Sequence, residues 1–191
     1  KGRVIYPERI ICSRYFDNYD FQMYRDTVEG IVPRKKIRIR TYNTFDFLKT
    51  NCNYSLEIKL TNEYTRMKNI KECVHLNSLL ENGYQDQMYG LCFQKIDISY
   101  LREYYLVDEI RVTIDKNIRY KFLQNSKNIL INETNDKNYV LELKTGINTS
   151  KTFLRNNFEF PRTRFSKYER ALDLFNIWNL EKFIYFLLFL L

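Results

Sequence analysis

Through the middle of the chain, apolar and charged residues alternate one by one. In Lys36-Ile37-Arg38-Ile39-Arg40 the cations fall on one face of a strand and the isoleucines on the other. Leu56-Glu57-Ile58-Lys59-Leu60 sets Glu57 and Lys59 together, opposite aliphatics. Tyr100, Arg102 and Tyr104 form another stripe, and Arg111-Val112-Thr113-Ile114-Asp115 and Val140-Leu141-Glu142-Leu143-Lys144 repeat the theme. Two segments echo each other, Tyr54-Ser55-Leu56-Glu57-Ile58-Lys59 and Tyr139-Val140-Leu141-Glu142-Leu143-Lys144, without the period of a solenoid. Apolar spacing predicts a helix over residues 69–80 and another over 168–183, the second carrying Leu172, Phe175, Ile177, Trp178 and Leu180. Gly30 and Pro33 mark a turn before the basic strand, and Asp17 ends a strand and caps a turn at residues 18–20. The class is α+β, dominated by an antiparallel sheet.

Composition narrows the picture. The chain has 191 residues, which suits one domain. Aromatics reach 16%, with 5 Gly and 3 Pro, so disordered, collagen-like and linker-like readings fail. The net charge of +8 calls for an anionic partner such as nucleic acid, an acidic membrane or polyphosphate. The 4 cysteines at positions 12, 52, 73 and 92 form no Cys-x-x-Cys pair, which argues against a zinc ribbon and for reduced thiols. His75 is the only histidine, so a His-based triad or His-rich metal site is not expected, and His75 reads as a surface or partly packed residue of the first helix. No P-loop or Gly-x-Gly-x-x-Gly segment occurs.

One charged stripe alone is unremarkable, because antiparallel sheets commonly keep one face wet. Here Arg and Lys recur at the centres of several strands. Closing the sheet into a barrel would gather Arg38, Arg40, Lys59, Arg102, Arg111 and Lys144 in one lumen. So many cations need anions. Arg offers a fork suited to phosphate oxygens, and Lys a point charge. Glu57 and Glu142 offer hard oxygens to Mg²⁺ or Mn²⁺, and Glu57 reads equally well as an internal salt-bridge partner.

The order of these pieces resembles a known family. Tyr15-Phe16-Asp17, the strand ending at Arg40, Leu56-Glu57-Ile58-Lys59, Tyr100-Leu101-Arg102, Arg111-Val112-Thr113-Ile114-Asp115, Leu141-Glu142-Leu143-Lys144 and Phe165-Ser166-Lys167-Tyr168 follow one another as in the VTC domain. That domain is the polyphosphate polymerase module of the vacuolar transporter chaperone family, among the triphosphate tunnel metalloenzymes related to the CYTH proteins. The resemblance covers roughly residues 3–170 and implies an antiparallel β-barrel with flanking helices. It assigns residues 1–170 to a tunnel domain lacking its first strand. Independently of the resemblance, the apolar run after Lys182 makes residues 171–191 an apolar C-terminal helix, either the start of a membrane segment or a terminal helix packed on the domain. It implies catalytic contacts to phosphate from Arg38, Arg40, Lys59, Arg102 and Arg111. Further phosphate contacts would come from Lys68, Tyr100, Arg164, Ser166 and Lys167, and Glu142 would bind a divalent metal, Mn²⁺ or Mg²⁺. ATP and inorganic polyphosphate are the implied partners, with a membrane partner subunit as in fungal relatives and no nucleic acid. The implied location is cytoplasmic, with membrane association through the apolar end.

The implied reaction moves the γ-phosphoryl group of ATP onto a polyphosphate chain by positioning and electrostatics. The acceptor is already ionised, which suits a chain without a histidine base. Three alternatives stay open: hydrolysis of tripolyphosphate or nucleotide in the same tunnel, a non-catalytic polyphosphate-binding module, and a nucleic-acid binder.

Overall fold

The computed structural model describes residues 2–48, 52–73, 75–123, 130–146, 149–160 and 162–175. The strand β1 (Arg3–Asp17) runs into α1 (Gln22–Glu29), closed by Gly30 in the left-handed region at φ 78°. Then come β2 (Arg34–Tyr42), β3 (Ser55–Thr61), β4 (Arg66–Glu72), α2 (Leu76–Asn82), β5 (Tyr84–Asp86), β6 (Gly90–Val107), β7 (Ile110–Leu123), β8 (Leu130–Asn135) and β9 (Val140–Lys144). The helices α3 (Lys151–Asn157) and α4 (Lys167–Leu174) follow.

The main sheet is antiparallel in the order β4-β3-β2-β1-β6-β7. The outer edge of β7 carries two partners: β9 lies against Arg111 to Asp115, and β8 against Arg119 to Leu123. Among the described residues the sheet is not closed, so the expected barrel is matched only roughly. Even so, Lys144 on β9 lies within the electrostatic reach of Lys68 on β4, at the other end of the strand order.

Register explains which side chains share a face, because directly paired residues point the same way. Ser13 pairs with Arg40 and Tyr15 with Arg38, while Arg38 pairs with Glu57 and Lys59 with Lys68. Arg102 pairs with Asp115, Thr113 with Glu142 and Arg111 with Lys144. The opposite face of β2 is core, as the alternation predicts: Ile37 and Ile39 are fully buried with Cys12, Phe16 and Met23. On β2 the charged face is not wet at its centre either, because Arg38 and Arg40 are only 9% and 8% exposed.

The predicted helix over residues 69–80 is only half right. Residues 69–72 belong to β4, and the helix begins at Leu76. Pairing with β3 outweighs the apolar spacing, and Lys68 and its neighbours form an exposed, charged edge of the kind that resists pairing with another chain. His75 is exposed at the N-cap of α2. Asp17 does end β1, but it reaches further than a local turn. It accepts from the backbone N–H groups of Asn18, Met23 and Tyr24, so it also ties down the first turn of α1.

Of the predicted helix over 168–183, α4 covers the part up to Leu174, and positions beyond 175 lie outside the described residues. Tyr168, Ala171 and Leu172 are buried against the sheet, with the Tyr168 ring stacked on Tyr15 at 5.2 Å. The Tyr168 hydroxyl donates to Asp17 at 2.7 Å. Among the described residues no helix is long and apolar enough to cross a membrane. All four cysteines are free.

Burial pushes the Asp17 carboxyl up to about 6, against the pull of its four donors. Ionised at neutral pH, it depends on those donors. Replacing Tyr168 with Phe is expected to destabilise the fold by about 1–3 kcal/mol, as for a hydrogen bond to a charged group. Urea denaturation at pH 7.5 measures it.

Candidate functional site

Two buried carboxylates organise the charged face. Glu57, 1% exposed, accepts from Arg38 at 2.7 Å and from Lys68 at 2.8 Å, with Arg40 at 3.7 Å. Burial alone would raise its pKa, but Arg38, Arg40 and the bond from Lys68 hold it down at about 2. It remains an anion at any working pH. Its two oxygens are taken by cations, which favours the salt-bridge reading of Glu57 over a metal ligand.

Asp115, fully buried, is the second pin. Arg102 grips it through two bonds of 2.5 and 2.7 Å, and Lys167 donates to the same carboxylate at 2.5 Å. Those donors overcome burial and keep Asp115 below its ordinary pKa. The bidentate geometry fixes the guanidinium plane of Arg102. Tyr100 lies under both cations, its ring 5.3 Å from Arg102 and 4.7 Å from Lys167. Its hydroxyl is 3.5 Å from Arg40, so β2 and β6 meet across the face of β1.

Neutral groups complete the cradle. Arg40 donates to Ser13 at 3.0 Å and Arg38 to the Tyr15 hydroxyl at 2.7 Å. Burial would push the Tyr15 phenol up, but the charges of Arg38 and Arg40 and the bond from Arg38 outweigh it and bring it down to about 8. One tyrosine is therefore expected to ionise near pH 8, well ahead of the rest. Near-ultraviolet absorbance across a pH titration detects it, and Tyr15→Phe is expected to remove that step alone.

Other cations of the same face have no such pin. Among the described residues, Lys59, Arg111 and Lys144 make no ion pair, and all three are exposed. Lys59 sits below its ordinary pKa through desolvation and then through Arg38, Arg40 and Lys68. Lys144 is lowered by desolvation and by Arg111, Arg102 and Lys68, against the opposing pull of Glu142. The site is thus held together by internal anions yet left with cations that repel one another beside open solvent. Lys36, on the same face, donates to Ser166 at 2.7 Å, and desolvation brings it down to about 8.

Glu142 is exposed, with Arg102 at 3.4 Å. Directly across from it in register, the Thr113 hydroxyl oxygen is buried without a hydrogen-bond partner among the described residues. Among the described residues no group of three or more His, Cys, Asp or Glu side chains could hold a metal ion. Any divalent ion here would depend on one carboxylate and on ligands brought by a substrate, which is ordinary for Mg²⁺ with phosphates.

The structure therefore brings together most of the residues singled out in the sequence: Arg38, Arg40, Lys59, Lys68, Tyr100, Arg102, Arg111, Glu142, Ser166 and Lys167. Arg164 is engaged elsewhere: its guanidinium donates to the Thr27 carbonyl in the last turn of α1 and lies near Arg34. Asp115, Tyr15, Ser13 and Lys36 were not assigned a role from the sequence. Asp115 and Lys36 carried a signal as the last residue of the Arg111 stripe and the first of the Arg38 stripe, and Tyr15 as part of the Tyr15-Phe16-Asp17 motif; Ser13 carried none.

A family model described as the VTC domain matches residues 6–89 and 94–176. No curated protein matches the chain at a significant level.

Proposed function

We propose, because this chain belongs to the VTC domain family, that it is a phosphotransferase holding a nucleoside triphosphate against its basic face. Its reaction is transfer of the γ-phosphoryl group of ATP to the end of a polyphosphate chain. The observation that carries the reading is the surplus of cations. Lys59, Arg111 and Lys144 lack carboxylate partners among the described residues, beside arginines fixed by Glu57 and Asp115. A row of phosphate oxygens would relieve that repulsion and find the guanidinium forks already oriented.

Catalysis in this reading is positioning and charge stabilisation. Arg38 and Arg102 arrive pre-oriented, since each is locked by a buried carboxylate. Arg111, Lys59 and Lys144 bind phosphate oxygens through solvent-facing ends. Ser166 and Lys167 at the start of α4 take the far end of the phosphate chain. The acceptor phosphate is ionised, so no side chain has to remove a proton from it. A divalent cation would be held by Glu142 together with phosphate oxygens of the substrate, and would supply neutralisation of charge on the phosphates.

Incubation with ATP and Mn²⁺, with products separated on a polyphosphate-stained gel, tests the reaction. A ladder of chains with ADP is expected. Phosphate release without a ladder would move the assignment to hydrolysis, and tripolyphosphate binding without turnover would leave a binding module.

A further inference from the structure

Ser166 is the N-cap of α4, and its hydroxyl oxygen accepts twice, from the Glu169 N–H at 3.3 Å and from the Lys36 ammonium at 2.7 Å. A hydroxyl has two acceptor positions and one hydrogen to give. With both acceptor positions filled, the hydrogen is left to point at something else. Lys36 comes from a distant strand, two residues before Arg38 on the same face and opposite Lys59 in register. Its ammonium has no carboxylate partner among the described residues, only the neutral hydroxyl.

We infer that Lys36 is a positioning residue, which turns the Ser166 hydroxyl outward as a donor to phosphate and takes up a proton when a polyanion binds. The inference rests on the phosphate-binding reading above. It follows from what changes when the amine loses its proton. A charged Lys36 can only donate, so Ser166 keeps its hydrogen for the ligand. A neutral Lys36 has a lone pair and can accept that hydrogen, drawing it away from the phosphate.

The surroundings put this switch within reach of ordinary conditions. Lys36 faces Tyr15 from β1, its strand neighbour Arg34, Lys59 from β3 and Glu169 from α4. Desolvation, with Arg34 and Lys59, lowers the amine to about 8 against the pull of Tyr15 and Glu169. One carboxylate oxygen of Glu169 is itself buried without a hydrogen-bond partner among the described residues. A bound polyanion adds negative charge beside the amine and favours its protonated form.

Calorimetric titration with tripolyphosphate at pH 8.5, in two buffers of different ionisation enthalpy, counts the protons exchanged. The unaltered chain is expected to take up more protons than Lys36→Arg, whose side chain donates to Ser166 but does not titrate. Protons lost from the ligand cancel in that difference, and Tyr15→Phe isolates the share of Tyr15. Lys36→Met is expected to weaken binding about tenfold and to lose the extra proton uptake, whereas Lys36→Arg keeps the affinity of the unaltered chain. Equal proton uptake by the unaltered chain and Lys36→Arg, or Lys36→Arg binding as weakly as Lys36→Met, would overturn the inference. An unaltered chain that does not bind tripolyphosphate would overturn the underlying reading as well.

Discussion

Glu57→Ala is expected to destabilise the fold by about 3–5 kcal/mol, the usual consequence of removing one partner from a buried charged cluster. The carboxylate is 1% exposed and holds Arg38, Arg40 and Lys68 together. Without it, these cations face one another in a poorly solvated space. The pH dependence gives the same order of magnitude. Glu57 lies at about 2 in the fold against an ordinary value of 4.5. Its stabilisation is therefore fully present above about 4.5 and is lost as pH falls towards 2. That difference is worth about 3 kcal/mol. Denaturant titrations at pH 7 and pH 3 check both statements. Between pH 7 and pH 3 the unaltered chain should lose about 2 kcal/mol more stability than Glu57→Ala, which keeps the pH-dependent share of the other paired carboxylates such as Asp115. Tripolyphosphate should raise the melting temperature of the variant more than that of the unaltered chain, because an anion can replace the missing carboxylate.

Arg111→Ala should behave in the opposite way. Arg111 is exposed and makes no ion pair among the described residues, so its loss leaves no buried group unsatisfied. Stability should change by no more than about 0.5 kcal/mol, as for a surface position. Turnover with ATP should fall by about 10²-fold or more, the scale seen when one charge-stabilising donor is removed from a reaction centre. Arg38 is a poorer choice for this test, because its truncation also exposes Glu57 and Tyr15. Melting temperature and steady-state rate, measured on one preparation, separate the two effects. A variant with full activity would remove Arg111 from the site.

The alternation along β2, β3, β7 and β9 made the basic face readable, because a period of two needs no knowledge of pairing. Ile37 and Ile39 went to the core and Arg38 and Arg40 to the opposite face on that ground alone. What pairs with what was not readable. Asp115 closes the Arg111 stripe, but its grip on Arg102 depends on the register of β6 and β7. Tyr15 and Ser13 face the arginines only because β1 lies beside β2. The strand β4 escaped notice because its seven residues are all exposed and no buried side alternates with a wet one. Arg164 was placed by the family resemblance alone, and its side chain turns to the α1 carbonyl instead.

The account stands most directly on what the basic face prefers to bind. Competition between tripolyphosphate and a single-stranded DNA, followed by calorimetry at about 0.15 M salt, measures that preference. Tripolyphosphate is expected to bind the unaltered chain, to displace the DNA completely, and to bind Arg111→Ala about tenfold more weakly or worse. DNA that binds as well as tripolyphosphate and resists displacement, with Arg111→Ala unchanged, would contradict a phosphate-chain site and point to a nucleic-acid surface.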